Sequence, residues 1–517
     1  MSRLYHIIKN NKITNLYFFL VFLFFLMFYG VSHPPIITTS DDWHFMATTR
    51  DAIPLASVHN PTRVMTEVFA PWAGMISVSI LKPFGVDFVS SLAYGTSFIL
   101  ACFIVLYAWC FYRLFREKLQ IGKTTTLCLT TFFLLFHFLA FRRYPNNNPY
   151  LFGSFDLCCY YYYTIPILLI SSLVMYCIRT NLLDNISKMN SWQKGLFFTL
   201  VYLVLVSNLY SSIIWIAFIS VRLLFFLFKQ KEDILKVFSQ NKVSVASILF
   251  FAIVLLYEAL GDNAQQLSAG ENYWSELHHT LGCYWSILHR MNKWFMSFCF
   301  LVFFYSLYVY RKNKGNNNND TKCSLKGLIL FFLGNFIIIN IFYILISAKA
   351  VPEYVVWQDR LLAEIFWGFL GISFCMAYCL KANPQVKTVV PFIFLLLLGD
   401  TNTTGKTFND VFMYDTVAEN SKKLEEIAVW ADRNNVDTID VYIPYNGKEA
   451  SNFNWPYTIH YGSEIAEAFQ KFNVTKRLLT IRLYAVRGRN TISTELKPCE
   501  NDSIIKDSFW WGEDSVE

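Results

Sequence analysis

The chain has 517 residues, of which 55% are hydrophobic, 18% aromatic and only 16% charged, and its mean hydropathy is +0.35. Soluble domains carry about 25% charged residues, so this composition excludes an ordinary soluble enzyme and indicates lipid as the surrounding solvent. The net charge of +7 does not indicate a nucleic-acid partner, because Lys and Arg stand in short clusters between apolar runs rather than along one face.

Apolar runs long enough to cross roughly 30 Å of hydrocarbon recur along the sequence. The first follows Arg3, Lys9 and Lys12 without a small-residue cleavage site after it, so we expect an uncleaved signal anchor and a cytoplasmic N-terminus. Ser207 and Asn208 alone separate the fifth and sixth runs, which therefore form either a tight hairpin or a single helix. The predicted spans, about eleven in all, begin near Ile13, Phe88, Thr124, Tyr161, Leu196, Leu209, Val243, Trp294, Leu328, Leu361 and Thr388.

Basic residues give the orientation of these spans, because Lys and Arg are retained on the cytoplasmic side in short loops. Alternate loops are basic, among them RLFREKLQIGK and KQKEDILKVFSQNK, whereas the other loops are longer and rich in aromatic residues. The second set begins with a long outer loop over residues 32–87. We therefore predict an all-α polytopic membrane protein over residues 1–399, with its N-terminus inside and its C-terminus outside.

Residues 400–517 have a different character. VAENSKKLEEIAVWADRNN has a helical pattern and is followed by DTIDVYIP, whose apolar residues alternate with polar ones as in a half-buried strand. A second helical stretch, EIAEAFQKF, precedes the alternating RLLTIRLYAV. These patterns predict a small extracytoplasmic α/β domain docked on the outer face of the membrane.

Few polar residues interrupt the predicted spans. They collect near the ends that we place outside, at His137, Asn208, Glu258 and Glu364. An ionisable group is costly in hydrocarbon and usually faces a cavity or a partner, so a cavity here would open outward. The alternative is that these side chains only reach to the interface.

The strongest local signal is TTSDDWHF, directly after the first span and on the predicted outer side. Asp41 and Asp42 stand beside aromatic residues there. Such a pair suits a general base, because partial desolvation and mutual repulsion raise the pKa of one carboxyl towards working pH. The same pattern is typical of a helix N-cap followed by acidic residues in the first turn. The residues alone leave both interpretations open.

The order of these features resembles the GT-C superfamily of membrane glycosyltransferases. In chain order, this sequence has a membrane helix, a long outer loop, many further spans and an outer C-terminal domain. The outer loop opens with Asp41 and Asp42 and continues through NPTRVMTEVFAPW. Within the superfamily, the chain is most similar to bacterial enzymes that decorate surface polysaccharide or lipid. The resemblance covers the whole chain in architecture and is specific only at the acidic pair. It implies a bacterial inner-membrane location, a polyprenyl-phosphate sugar as donor, a glycan or lipid acceptor, and contact with membrane lipids.

The resemblance also implies inverting transfer, in which a carboxylate of the first loop deprotonates or positions the acceptor hydroxyl. Asp41 is the expected base and Asp42 the second choice, since adjacent residues point in different directions. The leaving phosphate needs cations at the outer mouth of the cavity, although contact with lipid head groups is the alternative role for each of them. The candidate cations are Arg63, Arg142, Arg143, Arg290, Lys349 and Arg360. The predicted sugar or acceptor contacts are Trp43, His44, Tyr160, Tyr161, Glu353 and Asp359. The alternatives are an interfacial aromatic belt for the tyrosines and an ion pair with Arg360 for the two acids.

No metal or cofactor is expected, because Arg and Lys alone can carry the charge of a monophosphate donor. The Cys residues are scattered without metal-ligand spacing, and His278 and His279 lack the HExxH spacing of a zinc site. The rival functions are a transporter or flippase of a lipid-linked sugar, and a surface polysaccharide polymerase or ligase. The spans lack the Gly- and Pro-broken helices of transporters. A polymerase would place its chemistry in a large late outer loop rather than in the first.

Overall fold

The computed structural model describes residues 12–50, 61–141, 151–154, 156–229, 233–260, 273–313, 325–356, 358–382, 414–445, 461–487, 494 and 504–505. The first helices are α1 (Lys12–Ser32), α2 (Ser40–Ala47), α3 (Ala70–Leu81), α4 (Phe88–Lys118), α5 (Lys123–Leu139), α6 (Leu157–Thr180), α7 (Ser191–Leu205) and α8 (Leu209–Lys229). They are followed by α9 (Ile234–Gln240), α10 (Lys242–Leu260), α11 (Tyr273–Arg290), α12 (Lys293–Asn313), α13 (Leu325–Lys349) and α14 (Gln358–Ala382). The C-terminal part contains α15 (Tyr414–Arg433), β1 (Thr438–Tyr445), α16 (Gly462–Lys471), β2 (Thr480–Arg487) and β3 (Ile504–Ile505).

Eight of the described helices are long and apolar enough to cross a membrane, so the chain is a multi-pass integral membrane protein. They are α1, α4, α6, α8, α10, α12, α13 and α14. The predicted spans near Thr124 and Leu196 correspond to the shorter helices α5 and α7. The predicted span near Thr388 lies outside the described residues.

Helices α7 and α8 are separate. The Ser212 hydroxyl in α8 donates to the Val204 carbonyl in α7 at 2.7 Å, and residues 206–208 join the two helices. Asn208 begins α8, since its Oδ1 accepts the Tyr210 amide at 2.7 Å. The alternative of a single continuous helix is therefore wrong.

The ends of several spans meet at a polar face that is distant from the C-terminal domain. Arg179, near the end of α6, lies 3.4 Å from Glu117 of α4. Lys118 of α4 donates to the side chain of Asn181 at 2.7 Å, directly after α6. Arg222, late in α8, pairs with Asp184 in the same connection. Residues from neighbouring basic loops thus lie on one side of the bundle, as their charge predicts.

The C-terminal residues form a small α/β unit. Strands β1 and β2 run parallel, with Val441 beside Leu483, and β3 pairs antiparallel with β2. Helix α16 connects the parallel strands, which need a crossover rather than a hairpin. This helix begins at Gly462. Only glycine fits at this position, because a Cβ there would lie 1.9 Å from the Ile481 carbonyl oxygen. The predicted helix–strand–helix–strand order is confirmed.

Helix α15 docks this domain on the membrane part through the start of α4. The Glu425 carboxylate accepts the Phe88 amide at 2.8 Å and the Val89 amide at 3.4 Å. These N–H groups have no partner within their own helix, and the helix dipole favours a negative charge beside them. Ser421 donates to the Ile37 carbonyl at 3.3 Å. One face of α15 therefore holds the segment after α1 and the start of α4.

Helix α16 docks on the end of α2 in a complementary way. The Lys471 ammonium donates to the Met46 carbonyl at 2.8 Å and to the Ala47 carbonyl at 3.0 Å. A cation at a helix C-terminus pairs with carbonyls that have no partner in the helix. The Trp43 ring packs edge-on against Phe469 at 5.5 Å. We call the side of the bundle that carries these contacts the domain face.

Candidate functional site

Asp42 is buried at the start of α2 and ties this helix to α6. The N-cap is Thr39, and Asp42 completes a capping box with it. One carboxylate oxygen of Asp42 accepts the Thr38 amide at 2.7 Å, and the other accepts the Cys158 amide at 2.6 Å. Burial raises the pKa of Asp42, although the amide donors favour its charged form. The helix-cap interpretation is confirmed for this residue.

Asp156 extends this network at the start of α6. Its carboxylate accepts the Thr39 hydroxyl at 3.2 Å and the Thr38 hydroxyl at 3.5 Å. Asp156, Cys158 and Cys159 also offer three potential metal-ligand atoms within 4.8 Å of one another. This acid has a structural role that was not predicted, because its partners lie well over 100 residues away in sequence.

Asp41, in contrast to Asp42, is exposed. Its carboxylate interacts electrostatically with the Arg63 guanidinium. The two adjacent acids therefore occupy different environments, as expected for neighbouring residues of one helix. His44 is exposed on the same helix and interacts electrostatically with Glu67. Asp41 is the acid of the pair that a bound molecule can reach.

Arg63 lies between two aromatic rings on the domain face. Its guanidinium carbon is 5.7 Å from the centre of Phe45 and 5.8 Å from the centre of Tyr162. Both distances suit a cation–π contact. The carboxylates of Glu67 and Glu258 also act on Arg63 electrostatically. Arg63 is thus held by α2, α6 and the end of α10.

One ion pair and two hydrogen bonds surround Arg63. Arg50 and Glu67 form an ion pair at 2.5 Å, and both side chains are about 15% exposed. Glu258, near the end of α10, accepts the Thr62 amide at 3.1 Å and the Thr62 hydroxyl at 2.5 Å. Burial raises the pKa of Glu67, while Arg50 and Arg63 oppose that shift. We call Arg50, Arg63, Glu67 and Glu258 the arginine cluster.

Arg360 lies near this cluster at the start of α14. It is 2% exposed, donates to the Tyr163 hydroxyl, and stacks over the Tyr163 ring at 4.5 Å. Tyr162 interacts electrostatically with both Arg63 and Arg360. The π-helical turn Tyr160–Thr164 of α6 therefore places successive tyrosines against two arginines from distant parts of the chain.

Glu364 follows Arg360 by one turn of α14 and is 1% exposed. The Arg360 guanidinium interacts with it electrostatically. Its Oε1 atom has no hydrogen-bond partner among the described residues. A buried carboxylate oxygen in this state is costly, so the interior beside Arg360 is suited to a polar guest or to water.

Two other polar residues of the spans have structural roles instead. The His137 ring bonds the Phe133 carbonyl at 2.8 Å and stacks on Phe152 at 4.3 Å. Asn208 begins α8, as described above. Of the four polar residues predicted near the outer ends, Glu258 and Glu364 therefore belong to the site region, and His137 and Asn208 belong to the packing of the bundle.

Three aromatic residues predicted to contact sugar are buried, which corrects that expectation. Trp43 is 0% exposed and packs against the C-terminal domain. Tyr160 is 2% exposed, and its ring lies 5.9 Å from Tyr29 of α1. Tyr161 is 1% exposed, and its hydroxyl lies 3.2 Å from the Thr96 hydroxyl. The interfacial-belt interpretation does not describe these two tyrosines either, because both are packed inside the bundle.

The remaining predicted residues are dispersed. Lys349 is exposed at the end of α13, and Arg290 ends α11. Glu353 lies beside His279, with 3.5 Å between Oε1 and Nε2. Arg142, Arg143 and the side chain of Asp359 lie outside the described residues. Among the predicted cations, Arg63 and Arg360 are the two that the described structure brings into one region.

This region of the domain face has groups for two chemical roles, binding an anion and accepting a proton. Two guanidiniums near Tyr162 can bind an anionic oxygen group, and exposed Asp41 can accept a proton. Sequence reasoning missed Arg50 and Glu67, although Glu67 lies within the amphipathic NPTRVMTEVFAPW stretch.

Comparison with known proteins finds no matching family model, no matching curated protein and no matching solved structure.

Proposed function

We propose that the chain is an inverting membrane glycosyltransferase of the GT-C type. It transfers a sugar from a polyprenyl-phosphate donor to a glycan or lipid acceptor of the cell envelope. One observation carries the proposal: exposed Asp41 interacts electrostatically with Arg63, and Tyr162 interacts electrostatically with both Arg63 and Arg360 on the domain face. A proton acceptor and two phosphate-binding groups thereby share one region.

The proposed membrane arrangement has about eleven spans, with the N-terminus inside and the C-terminal domain outside. The Arg179, Lys118 and Arg222 contacts support it, because they collect basic residues on the face opposite the domain. The domain face is then the outer face of a bacterial inner membrane. A lipid-linked donor would present its phosphate there, at the level of the head groups.

In the proposed reaction the bond between the anomeric carbon and the donor phosphate oxygen breaks. A bond from the acceptor hydroxyl oxygen to the anomeric carbon forms on the opposite side of the sugar, and the hydroxyl proton passes to Asp41. The leaving polyprenyl phosphate keeps the bond electrons, and Arg63 and Arg360 stabilise its charge. Arg suits this task better than Lys because its planar fork donates two parallel hydrogen bonds.

Asp42 is the weaker candidate for the base. Its two oxygens already accept the Thr38 and Cys158 amides, and its side chain is 0% exposed. An acceptor hydroxyl would have to displace one of these donors and leave a buried amide without a partner. We therefore assign Asp42 to positioning of α2, which fixes the direction of Asp41.

Transport of a lipid-linked sugar is the second candidate function, and buried Glu364 is the observation that favours it. A buried carboxylate oxygen next to Arg360 would suit a polar head group that moves through the bundle. Transporters usually bind their substrate near the bilayer midplane. Arg360 instead begins its span, which favours chemistry at the membrane surface over passage through it.

The test uses the purified full chain in liposomes that contain a polyprenyl-phosphate sugar labelled in the sugar. A panel of donors with different hexoses is offered together with a mixture of envelope glycans and lipids as acceptors. Transfer of the label to an acceptor supports the proposal, and loss of that transfer in an Arg360→Gln variant supports the assigned site. Movement of intact donor between the two leaflets without any transfer would instead establish the transporter.

A further inference from the structure

A second group of polar side chains lies outside the arginine cluster, between α11 and the turn before α14. His279, Cys283 and Glu353 each place one potential ligand atom within 4.8 Å of the other two. We propose that these three residues form a binding site for a divalent transition-metal ion, with Zn²⁺ as the best match. The proposed glycosyl transfer does not require a metal ion at this site.

Local structure brings the three side chains together. His279 and Cys283 stand four residues apart on α11, so they share one face of the helix. Glu353 belongs to the 3₁₀ turn Pro352–Val356, which directly follows α13. Helix α11 packs along the second half of α13, where the Tyr284 hydroxyl contacts the Asn340 side chain. The metal would therefore join two elements that are already neighbours.

The distances fit the geometry of a small metal ion. Zn²⁺ binds imidazole nitrogen, thiolate sulfur and carboxylate oxygen at about 2.0–2.3 Å, so its tetrahedral ligands lie about 3.3–3.6 Å apart. The observed separation of His279 Nε2 and Glu353 Oε1 is 3.5 Å. Cys283 Sγ lies within 4.8 Å of a ring nitrogen of His279 and of a carboxylate oxygen of Glu353. The three groups leave a fourth position for water.

The ligand types select the class of metal. Thiolate and imidazole favour Zn²⁺ and Co²⁺, whereas Mg²⁺ and Ca²⁺ prefer sites made of oxygen atoms. On binding, the Cys283 thiol loses its proton to solvent and its sulfur forms the metal bond. An ordinary His–Glu ion pair would account for His279 and Glu353 but would give Cys283 no part in the contact.

A further carboxylate lies near the second ring nitrogen of the histidine. Glu276 Oε2 lies 4.0 Å from His279 Nδ1, on the side of the ring away from Glu353. Metal-binding histidines commonly direct their second nitrogen to a carboxylate, which fixes the tautomer that leaves the other nitrogen for the metal. His278, the adjacent residue, belongs to no such group among the described residues and is the matched control.

The site would act as a clamp between α11 and the segment that leads into α14. Glu353 precedes Arg360 by seven positions of the chain. A metal bond at Glu353 would thus restrain the segment that positions Arg360. The metal site does not depend on glycosyl transfer, and its binding is measurable without a sugar substrate.

The experiment treats the purified full chain in detergent with a chelator and then titrates it with Co²⁺. We expect about one equivalent of Co²⁺ to bind and to produce a thiolate-to-cobalt charge-transfer band, which added Zn²⁺ abolishes. His279→Ala and Cys283→Ser should lose the band, whereas His278→Ala should retain it. Glu353→Gln should weaken Co²⁺ binding at least about 10-fold.

A conservative variant separates loss of the ligand from loss of the fold. Cys283→His should still bind Co²⁺ through nitrogen but without the charge-transfer band, and its far-ultraviolet circular dichroism should match that of the native chain. A native chain that gives no band would overturn the proposal. A band of full intensity in Cys283→Ser, or its loss in His278→Ala, would overturn it as well.

Discussion

The Asp42 carboxylate accepts the backbone amide of Cys158 at 2.6 Å, across 116 positions of the chain. This bond joins the start of α2 to the start of α6. It fixes α2, on which Asp41, the preceding residue, interacts electrostatically with Arg63, and it fixes the start of the tyrosine turn of α6, two positions beyond Cys158. The capping acid therefore orders both halves of the proposed site without contacting a substrate.

Replacing Asp42 is expected to lower stability rather than to act on chemistry alone. In Asp42→Asn one side-chain oxygen becomes an NH₂ group, which cannot accept the Thr38 or Cys158 amide. Leaving one such buried donor without a partner costs about 1–3 kcal/mol. The thermal-unfolding midpoint in detergent should fall for Asp42→Asn and stay close to the native value for Asp41→Asn. Equal midpoints for the two variants would count against the structural role of Asp42.

Docking of the C-terminal domain should depend on Glu425. Its carboxylate holds the Phe88 and Val89 amides at the start of α4, and Glu425→Gln removes the charge that interacts with the helix end. We expect faster hydrogen exchange at these amides and a loss of about 0.5–1.5 kcal/mol in docking free energy. Hydrogen-exchange mass spectrometry of the native chain and the variant measures this.

The neighbouring acid provides the control for that experiment. Glu426 is exposed on the same helix, so Glu426→Gln changes the net charge equally without removing a contact to α4. Its exchange pattern at the start of α4 should match the native chain. If both variants accelerate exchange equally, general charge rather than the Glu425 contact determines docking.

Protonation of His33 should destabilise the protein in mild acid. The side chain is 8% exposed and lies 4.4 Å from the Phe28 ring. Burial lowers the pKa of His33 from 6.5 to about 4. Between these two values the unfolded chain binds more protons than the folded chain, so stability rises with pH through this window and is lost as the pH falls through it.

A titration of thermal stability tests this effect. Between about pH 7 and pH 5, the native chain should lose about 1–2 kcal/mol relative to His33→Gln, a value reduced for partial contact with solvent. His44→Gln, which removes an exposed histidine of the same loop, should follow the native chain. A His33→Gln variant that loses stability as steeply as the native chain would show that other groups cause the acid sensitivity.

Arg360 should be sensitive even to a conservative replacement. Its guanidinium stacks over Tyr163 at 4.5 Å and over Tyr210 at 5.3 Å, and a Lys ammonium cannot reproduce this planar contact. We expect Arg360→Lys to lower kcat/KM for the polyprenyl-phosphate donor by about 10²-fold. Lys349→Arg at an exposed position should leave it unchanged. Full activity of Arg360→Lys would remove Arg360 from the phosphate site.

Local pattern was sufficient to predict much of the membrane part. An apolar run predicts the span that begins at Phe88, and in the structure Asp87 caps this helix through the Ser90 amide at 2.7 Å. The cap interpretation of Thr39 and Asp42 likewise needs only spacing within one turn. Such features depend on residues three or four positions apart, which sequence periodicity reports directly.

The set of residues that form the site could not be predicted from local sequence pattern. The Thr62–Glu258 contact joins residues 196 positions apart, and Trp43 is buried by Phe469 of the C-terminal domain. Neither contact leaves a periodic signal in the sequence. The sequence therefore predicts a sugar contact for Trp43 and gives no signal for Arg50, because the long-range partners of aromatic and charged residues in an outer loop are not visible in local pattern.

Sugar transfer by an Asp41→Asn variant is the most direct measurement of the proposed chemistry. The variant should bind the polyprenyl-phosphate donor as tightly as the native chain does, because Arg63 and Arg360 are unchanged, and should unfold at the native temperature. Its single-turnover rate of transfer should fall at least about 100-fold, as expected for loss of a general base. A native rate in this variant, with donor binding and stability intact, would contradict the assignment of Asp41 as the base and with it the proposed site.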